Sequence, residues 1–238
     1  VLLRKPRART EIYNDLDGEI TTLFRVLRTP HDAARLAELL ELTPYSRDEY
    51  FACQERSTDP VEASRRMIAR SFMSQSSKGV HQASGFDTRI NPDGYCSRVG
   101  SLNAMPDVVR DCVGRLRKVV VENADAIPLI ARFDRADCLI YCDPPYIPRA
   151  PDRGIFYRHE MTEPGHRRLA DALLALQRAM VIVSGYPSEL YDEKFTGWRR
   201  VECQTWADAA ARRVECLWIN PAAAAELDKI ESIDEVAA

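Results

Sequence analysis

The chain has 238 residues, 45% of them hydrophobic and 29% charged, with a net charge of −3, which suits one large globular domain or a domain carrying an insertion. No apolar run approaches the roughly 20 residues that cross a bilayer and no secretory signal is visible, so a cytoplasmic protein without membrane contact is expected. The seven cysteines (53, 96, 112, 138, 142, 203 and 216) form no CxxC pair, which suits reduced thiols and gives no metal site.

Glu11-Ile12-Tyr13 reads as the tail of a short strand, and Asn14 or Asp15 can cap the helix that follows, whose apolar face is Leu16, Ile20, Leu23, Phe24 and Leu27. A second helix is expected over about 31–42. Ser46 with Glu49 three residues on reads as a capping box opening a further helix, and helical spacing continues to about residue 74. From Ser74 to Pro106 the chain turns polar and loses periodicity, reading as a long functional loop that holds Lys78, His81, Arg89, Asn91, Tyr95, Arg98 and Asn103. The same composition fits an inert surface excursion.

A basic helix at 107–118 leads into a Val119–Glu122 strand and Asn123-Ala124-Asp125; a helix at about 126–133 and an apolar strand at 138–142 follow. Residues 147–161 suit a flap over a site. Thr162 caps the next helix, Met180–Val183 is a strand ending at Ser184-Gly185-Tyr186-Pro187, and Arg200–Gln204 with Arg213–Asn220 can form an edge hairpin. The tail beyond Pro221 reads as a weak helix or disorder. Strands and helices alternate on both sides of a helical insert, the pattern of a doubly wound α/β sheet.

The most informative junction is Asp143-Pro144-Pro145-Tyr146 after the apolar run Cys138–Cys142, which reads as a strand buried on both faces. Two prolines end the strand, so the acid sits at its carboxyl end, where ligands bind in open α/β sheets. Asp143 and the Pro144 carbonyl can accept hydrogen bonds from a flat amine while Tyr146 offers a stacking face. An Asp-Pro turn with a rim tyrosine is the plainer alternative. Between residues 62 and 118 ten Lys/Arg stand against five Asp/Glu, a local +5 that leaves −8 for the rest. Such an excess suits backbone phosphates, or a solvated charged face.

In order and spacing, Asn14–Glu19, Thr43–Ser46, Val121–Asp125, Asp143–Tyr146, His159–Thr162, Ser184–Pro187 and Glu215–Pro221 resemble the Dam-type (alpha-class) adenine-N6 DNA methyltransferases. The resemblance implies a Rossmann-like methyltransferase sheet over 1–29 and 118–238 with a target-recognition insert at 30–117. It implies S-adenosylmethionine as methyl donor, double-stranded DNA as partner and a monomer. It also implies catalysis by Asp143, Pro144, Pro145 and Tyr146 on an adenine flipped from the duplex. Asp15, Asn123, Asp125 and Asp143 would meet the donor, Asp15 at its ribose and Asp125 near its adenine. Lys78, Arg89, Asn91 and Arg98 would meet DNA. Phe156 and Tyr157 are candidates for the pocket wall.

One family element has no counterpart here: a Phe-x-Gly-x-Gly loop after the first strand, since Gly18 is the only glycine before Gly79. The start, Val1–Pro6, resembles the segment that follows that loop, so the first strand and glycine loop are expected to be missing. Two other readings remain open: a truncated remnant that only binds DNA, and an amino-methyltransferase acting on RNA. The expectation for these 238 residues alone is weak donor binding; isothermal titration giving micromolar affinity for S-adenosylmethionine would contradict it.

Overall fold

The computed structural model describes residues 1–75, 85–147, 157–206 and 212–237. They divide into two compact units, Val1–Ala124 with Phe156–Arg158, and Asp125–Ile155 with His159–Ala238.

The first unit contains β1 (Glu11–Asn14), α1 (Gly18–Arg28), α2 (Pro30–Glu41), α3 (Arg47–Ala52), α4 (Pro60–Met73), α5 (Ser97–Asn103), α6 (Met105–Leu116) and β2 (Val119–Glu122). The two strands pair in parallel, Glu11 opposite Val119 through Asn14 opposite Glu122, so all six helices lie in one long crossover. Neither Asn14 nor Asp15 caps α1. Asp17 does, accepting the Glu19 N–H, because Asn14 is held by Ala124 and Asp15 accepts from the Asp17 N–H and the Tyr13 hydroxyl. Ser46 caps α3 as expected, but Glu49 does not complete a capping box: its carboxylate meets Arg65 and the Cys53 thiol.

The helical core gathers Val26, Leu36, Leu40, Tyr50, Met73, Leu102 and Leu116, with Val119 of β2. The expected 74–106 loop is more structured than its composition suggests. Ser74 bridges to Phe86, Gly85 supplies the positive φ of 91° that the turn needs, and Phe86 is buried against Tyr45 and Tyr50. Before it ends, α5 forms and α6 begins.

Buried Glu11 ties the start of β1 to α6. Arg115 donates to both of its oxygens at 2.6 and 2.7 Å, and Lys5 and the Ala8 N–H add further donors. Chiefly through Arg115, its carboxyl is pulled down to about 2, so it is ionised at any ordinary pH.

The second unit contains α7 (Ala126–Ala131), β3 (Leu139–Cys142), α8 (Glu163–Leu174), β4 (Met180–Gly185), α9 (Glu189–Lys194), β5 (Arg199–Trp206), β6 (Arg212–Ile219) and α10 (Pro221–Ala237). Its sheet runs β3-β4-β6-β5. β3 and β4 are parallel, joined by a crossover through α8; β6 returns antiparallel between β4 and β5. The hairpin is therefore as expected, although only β5 lies at the edge. The tail beyond Pro221 is helix to Ala237.

β3 is not buried on both faces. Ile140 and Cys142 pack on the core formed by Leu169, Leu173, Val181, Val183, Tyr191 and Trp218, whereas Leu139 and Tyr141, which point the other way, are 52% and 37% exposed. Apolar composition alone does not distinguish these faces. The described residues thus form a mixed α/β protein with a two-stranded and a four-stranded sheet.

Two outcomes follow for this unit. Trp218 is fully buried among Tyr191 and Phe195 and donates to Asp192 at 2.9 Å; Trp218→Ala should cost about 3–5 kcal/mol in urea denaturation. His166, also buried, shares 2.8 Å with the Tyr191 hydroxyl, and burial lowers its pKa from 6.5 to about 4. The unfolded chain takes up this proton first as pH falls. Its contribution is therefore complete above pH 6.5 and lost towards about 4, with a slope of up to about 1.4 kcal/mol per pH unit that His166→Gln should flatten in pH-dependent denaturation.

Candidate active site

The parallel register of β3 and β4 builds the site. Cys142 lies opposite Val183, so the next residues, Asp143 and Ser184, come side by side where the strands end. The Ser184 hydroxyl, 3% exposed, is 2.7 Å from Asp143 Oδ1 and 3.2 Å from the Cys142 carbonyl oxygen. Asp143 is exposed, Pro144 is buried beneath it, and Pro145 and Tyr146 are half-buried.

Tyr146 meets Tyr186, just beyond β4, edge to face, with centroids 4.8 Å apart and planes at 79°. Arg213 of β6 donates to the Tyr186 hydroxyl at 2.9 Å. Burial pushes the Tyr146 phenol up and the Asp143 charge adds to this, while the nearby Ser184 hydroxyl works the other way. Tyr146 is therefore protonated at any ordinary pH, and its ring is a neutral stacking surface. Tyr141 is raised for the same leading reason, burial, and both phenols feel the Glu215 carboxylate.

The structure thus gathers Asp143, Pro144, Pro145 and Tyr146 with five residues that sequence reasoning does not single out as site residues: Tyr141, Ser184, Tyr186, Arg213 and Glu215. Their signal was alternation. Ser184 pairs with Leu217, so Glu215 and Arg213, two and four residues earlier on β6, share its face of the sheet. That inference needs the pairing register, which the sequence alone does not state.

The residues expected to meet a methyl donor fall in both units. In the first, the half-buried Asp15 carboxylate stands just past the carboxyl end of β1. One oxygen accepts from the Asp17 N–H at 2.8 Å and the other from the Tyr13 hydroxyl at 3.0 Å. Each oxygen keeps a lone pair, so the group fits a sugar diol. The Asn123 side chain is engaged structurally, donating to the Asp15 and Leu16 carbonyls at 2.8 and 3.0 Å. In the second unit Asp125 caps α7 through the Ile127 N–H at 2.9 Å.

Of the residues expected to meet DNA, Lys78 lies outside the described residues, as do His81 and Phe156. Arg89 clasps the carboxylate of the buried Asp87, with its closest approach at 2.7 Å, and Arg98 approaches the same carboxylate to 3.7 Å. Asn91 is exposed and anchors a turn through its backbone to Tyr95. Of the ten basic residues between 62 and 118, Arg65, Arg66, Arg70, Arg89, Arg98, Arg110 and Arg115 make ion pairs with carboxylates of the same unit. Arg117 and Lys118 are exposed and have no ion pair among the described residues. The local excess of +5 therefore overstates the charge available to phosphates.

Beyond the Asp-Pro-Pro-Tyr turn, most of the expected flap, 148–156, is outside the described residues. Arg158, which follows it, belongs to the first unit. It pairs with Asp17 at 3.0 Å and Glu19 at 2.9 Å, at the start of α1. Glu19 also binds Arg70, and these side chains line a cleft of about 340 Å³ with Arg56 and Arg66. Among the described residues no group of three or more His, Cys, Asp or Glu could hold a metal ion, and no helix is long and apolar enough to cross a membrane. Searches against models of known families and against curated proteins find no match to this chain.

Proposed function

We propose that the chain acts as a site-specific DNA adenine methyltransferase that modifies the N6 amine with S-adenosylmethionine as donor. One observation carries the reading: an exposed carboxylate, a proline carbonyl and a half-buried tyrosine ring follow one another at the carboxyl end of a parallel strand, with Tyr186 set edge to face against that ring. These groups match the demands of a planar amine. Asp143 and the Pro144 carbonyl would accept its two hydrogens, drawing the nitrogen out of conjugation, while Tyr146 stacks on the base. A base in a duplex cannot reach such a turn, so the target adenine would be flipped out, at a cost of a few kcal/mol.

When bound, the donor supplies a methyl group already carried on a cationic sulfur, so neither a metal nor a covalent enzyme intermediate is required of the chain. Asp15 would hold its ribose hydroxyls. The finer fold expected, a doubly wound methyltransferase sheet, is supported by the parallel pairs β1–β2 and β3–β4, each joined through helices, and by the helical crossover between β1 and β2 in the position of a recognition insert. Double-stranded DNA as partner rests on that insert, where Arg56 and Arg117, with Lys118 just beyond it, are exposed and make no ion pair among the described residues.

The protein, given a labelled methyl donor and duplex DNA, should place label on adenine N6. Asp143→Ala should lower the rate at least about 100-fold while leaving DNA affinity within about threefold. Label appearing only in RNA would reassign the substrate, and no label in any nucleic acid would refute the reading.

A further inference from the structure

Ser184 is almost wholly buried, yet its hydroxyl reaches the functional end of the site. Its one proton has two close acceptors, Asp143 Oδ1 at 2.7 Å and the Cys142 carbonyl at 3.2 Å, and the Tyr141 and Tyr146 hydroxyls also lie within its reach. The nearer acceptor is the charged one, and a charge-assisted bond is about twice as strong as a neutral one. The proton therefore belongs to Asp143. Asp143 Oδ2, by contrast, receives no hydrogen bond among the described residues.

The supporting shell is rigid. Ser184 lies within β4, bonded on one side to β3 and on the other to β6, where it pairs with Leu217. Gly185 follows, and a Cβ there would come within 3.2 Å of Trp218, so the backbone carrying Ser184 is pressed against the core. Asp143, by comparison, stands in an exposed turn beyond the end of its strand and has two free side-chain torsions. Without a partner its carboxylate would rotate, presenting either oxygen to solvent.

We propose that Ser184 is a positioning residue for the reaction: it pins Asp143 Oδ1 and thereby aims Oδ2 at the substrate amine. This rests on the methyltransferase reading and deepens it. The hydroxyl neighbours the phenol oxygen of Tyr146 and not the face of its ring, so its loss should fall on the rate of methyl transfer and leave DNA binding and the stacking of a flipped base unchanged.

The experiment compares wild type, Ser184→Ala and Ser184→Thr in the intact protein, using single-turnover methyl transfer, DNA affinity, and fluorescence of a duplex with 2-aminopurine at the target adenine. Ser184→Ala should slow transfer about 10- to 100-fold. Its DNA affinity and 2-aminopurine emission should match wild type, and Ser184→Thr, which keeps the hydroxyl, should recover most of the rate. Wild-type transfer with an equally fast Ser184→Ala overturns the proposal alone. So does a Ser184→Ala defect that appears equally in DNA affinity and emission and is not recovered by Ser184→Thr, because that marks a merely structural role. Absence of transfer by wild type overturns the methyltransferase reading and the inference with it.

Discussion

The register between β3 and β4 is the constraint on which the candidate site depends. Parallel strands have no freedom to slip by one residue without turning every side chain to the opposite face. Here a slip of β3 would drive Ile140 and Cys142 out of the core and bring Leu139 and Tyr141 into it, while β4 stayed held by β6. Because the apolar faces decide the register, they also decide that Asp143 and Ser184 emerge together where Pro144 and Pro145 end the pairing. The polar chemistry at the strand ends is a by-product of where the hydrophobic side chains must go.

A different kind of constraint dominates the first unit. Several of its carboxylates and guanidinia pair across elements, Glu11 with Arg115, Glu49 with Arg65, and Glu19 with Arg70 and Arg158, while Glu62 meets Arg65 within α4 and Asp87 meets Arg89 within one loop. Several of these groups are largely shielded from water, and removal of one partner there leaves a charge that the interior cannot solvate. Pairing of this kind explains why a basic segment need not be a nucleic-acid surface. Phosphates would compete for Arg89 or Arg98 only by exposing the buried Asp87 carboxylate.

Local structure was largely legible in the residues. Helix starts at Ser46 and Thr162, prolines in first turns, and the strands at 119–122 and 180–185 follow from chemistry confined to a few neighbours. Where readings went astray, a distant partner intervened. Asp15 was available as a cap by sequence, but Tyr13 and the Asp17 backbone took its oxygens; Glu49 was spaced for a capping box, but Arg65, sixteen residues on, claimed it. The polar stretch after residue 74 hid Phe86, whose burial under Tyr45 and Tyr50 depends on helices that composition cannot position.

By itself, the sequence determined that Asp143-Pro144-Pro145-Tyr146 ends a strand, since two prolines cannot continue a ladder, and that a carboxylate and an aromatic ring lie there together. Only the tertiary structure decided their company. Ser184, Tyr186 and Arg213 come to Asp143 and Tyr146 from chain positions about 40 to 70 residues away, through strand pairing that no local pattern specifies. It likewise decided that most of the arginines between 62 and 118 answer to carboxylates within their own unit. Charge can be counted along a chain, but the partner of each charge is set by which segments the hydrophobic core brings together.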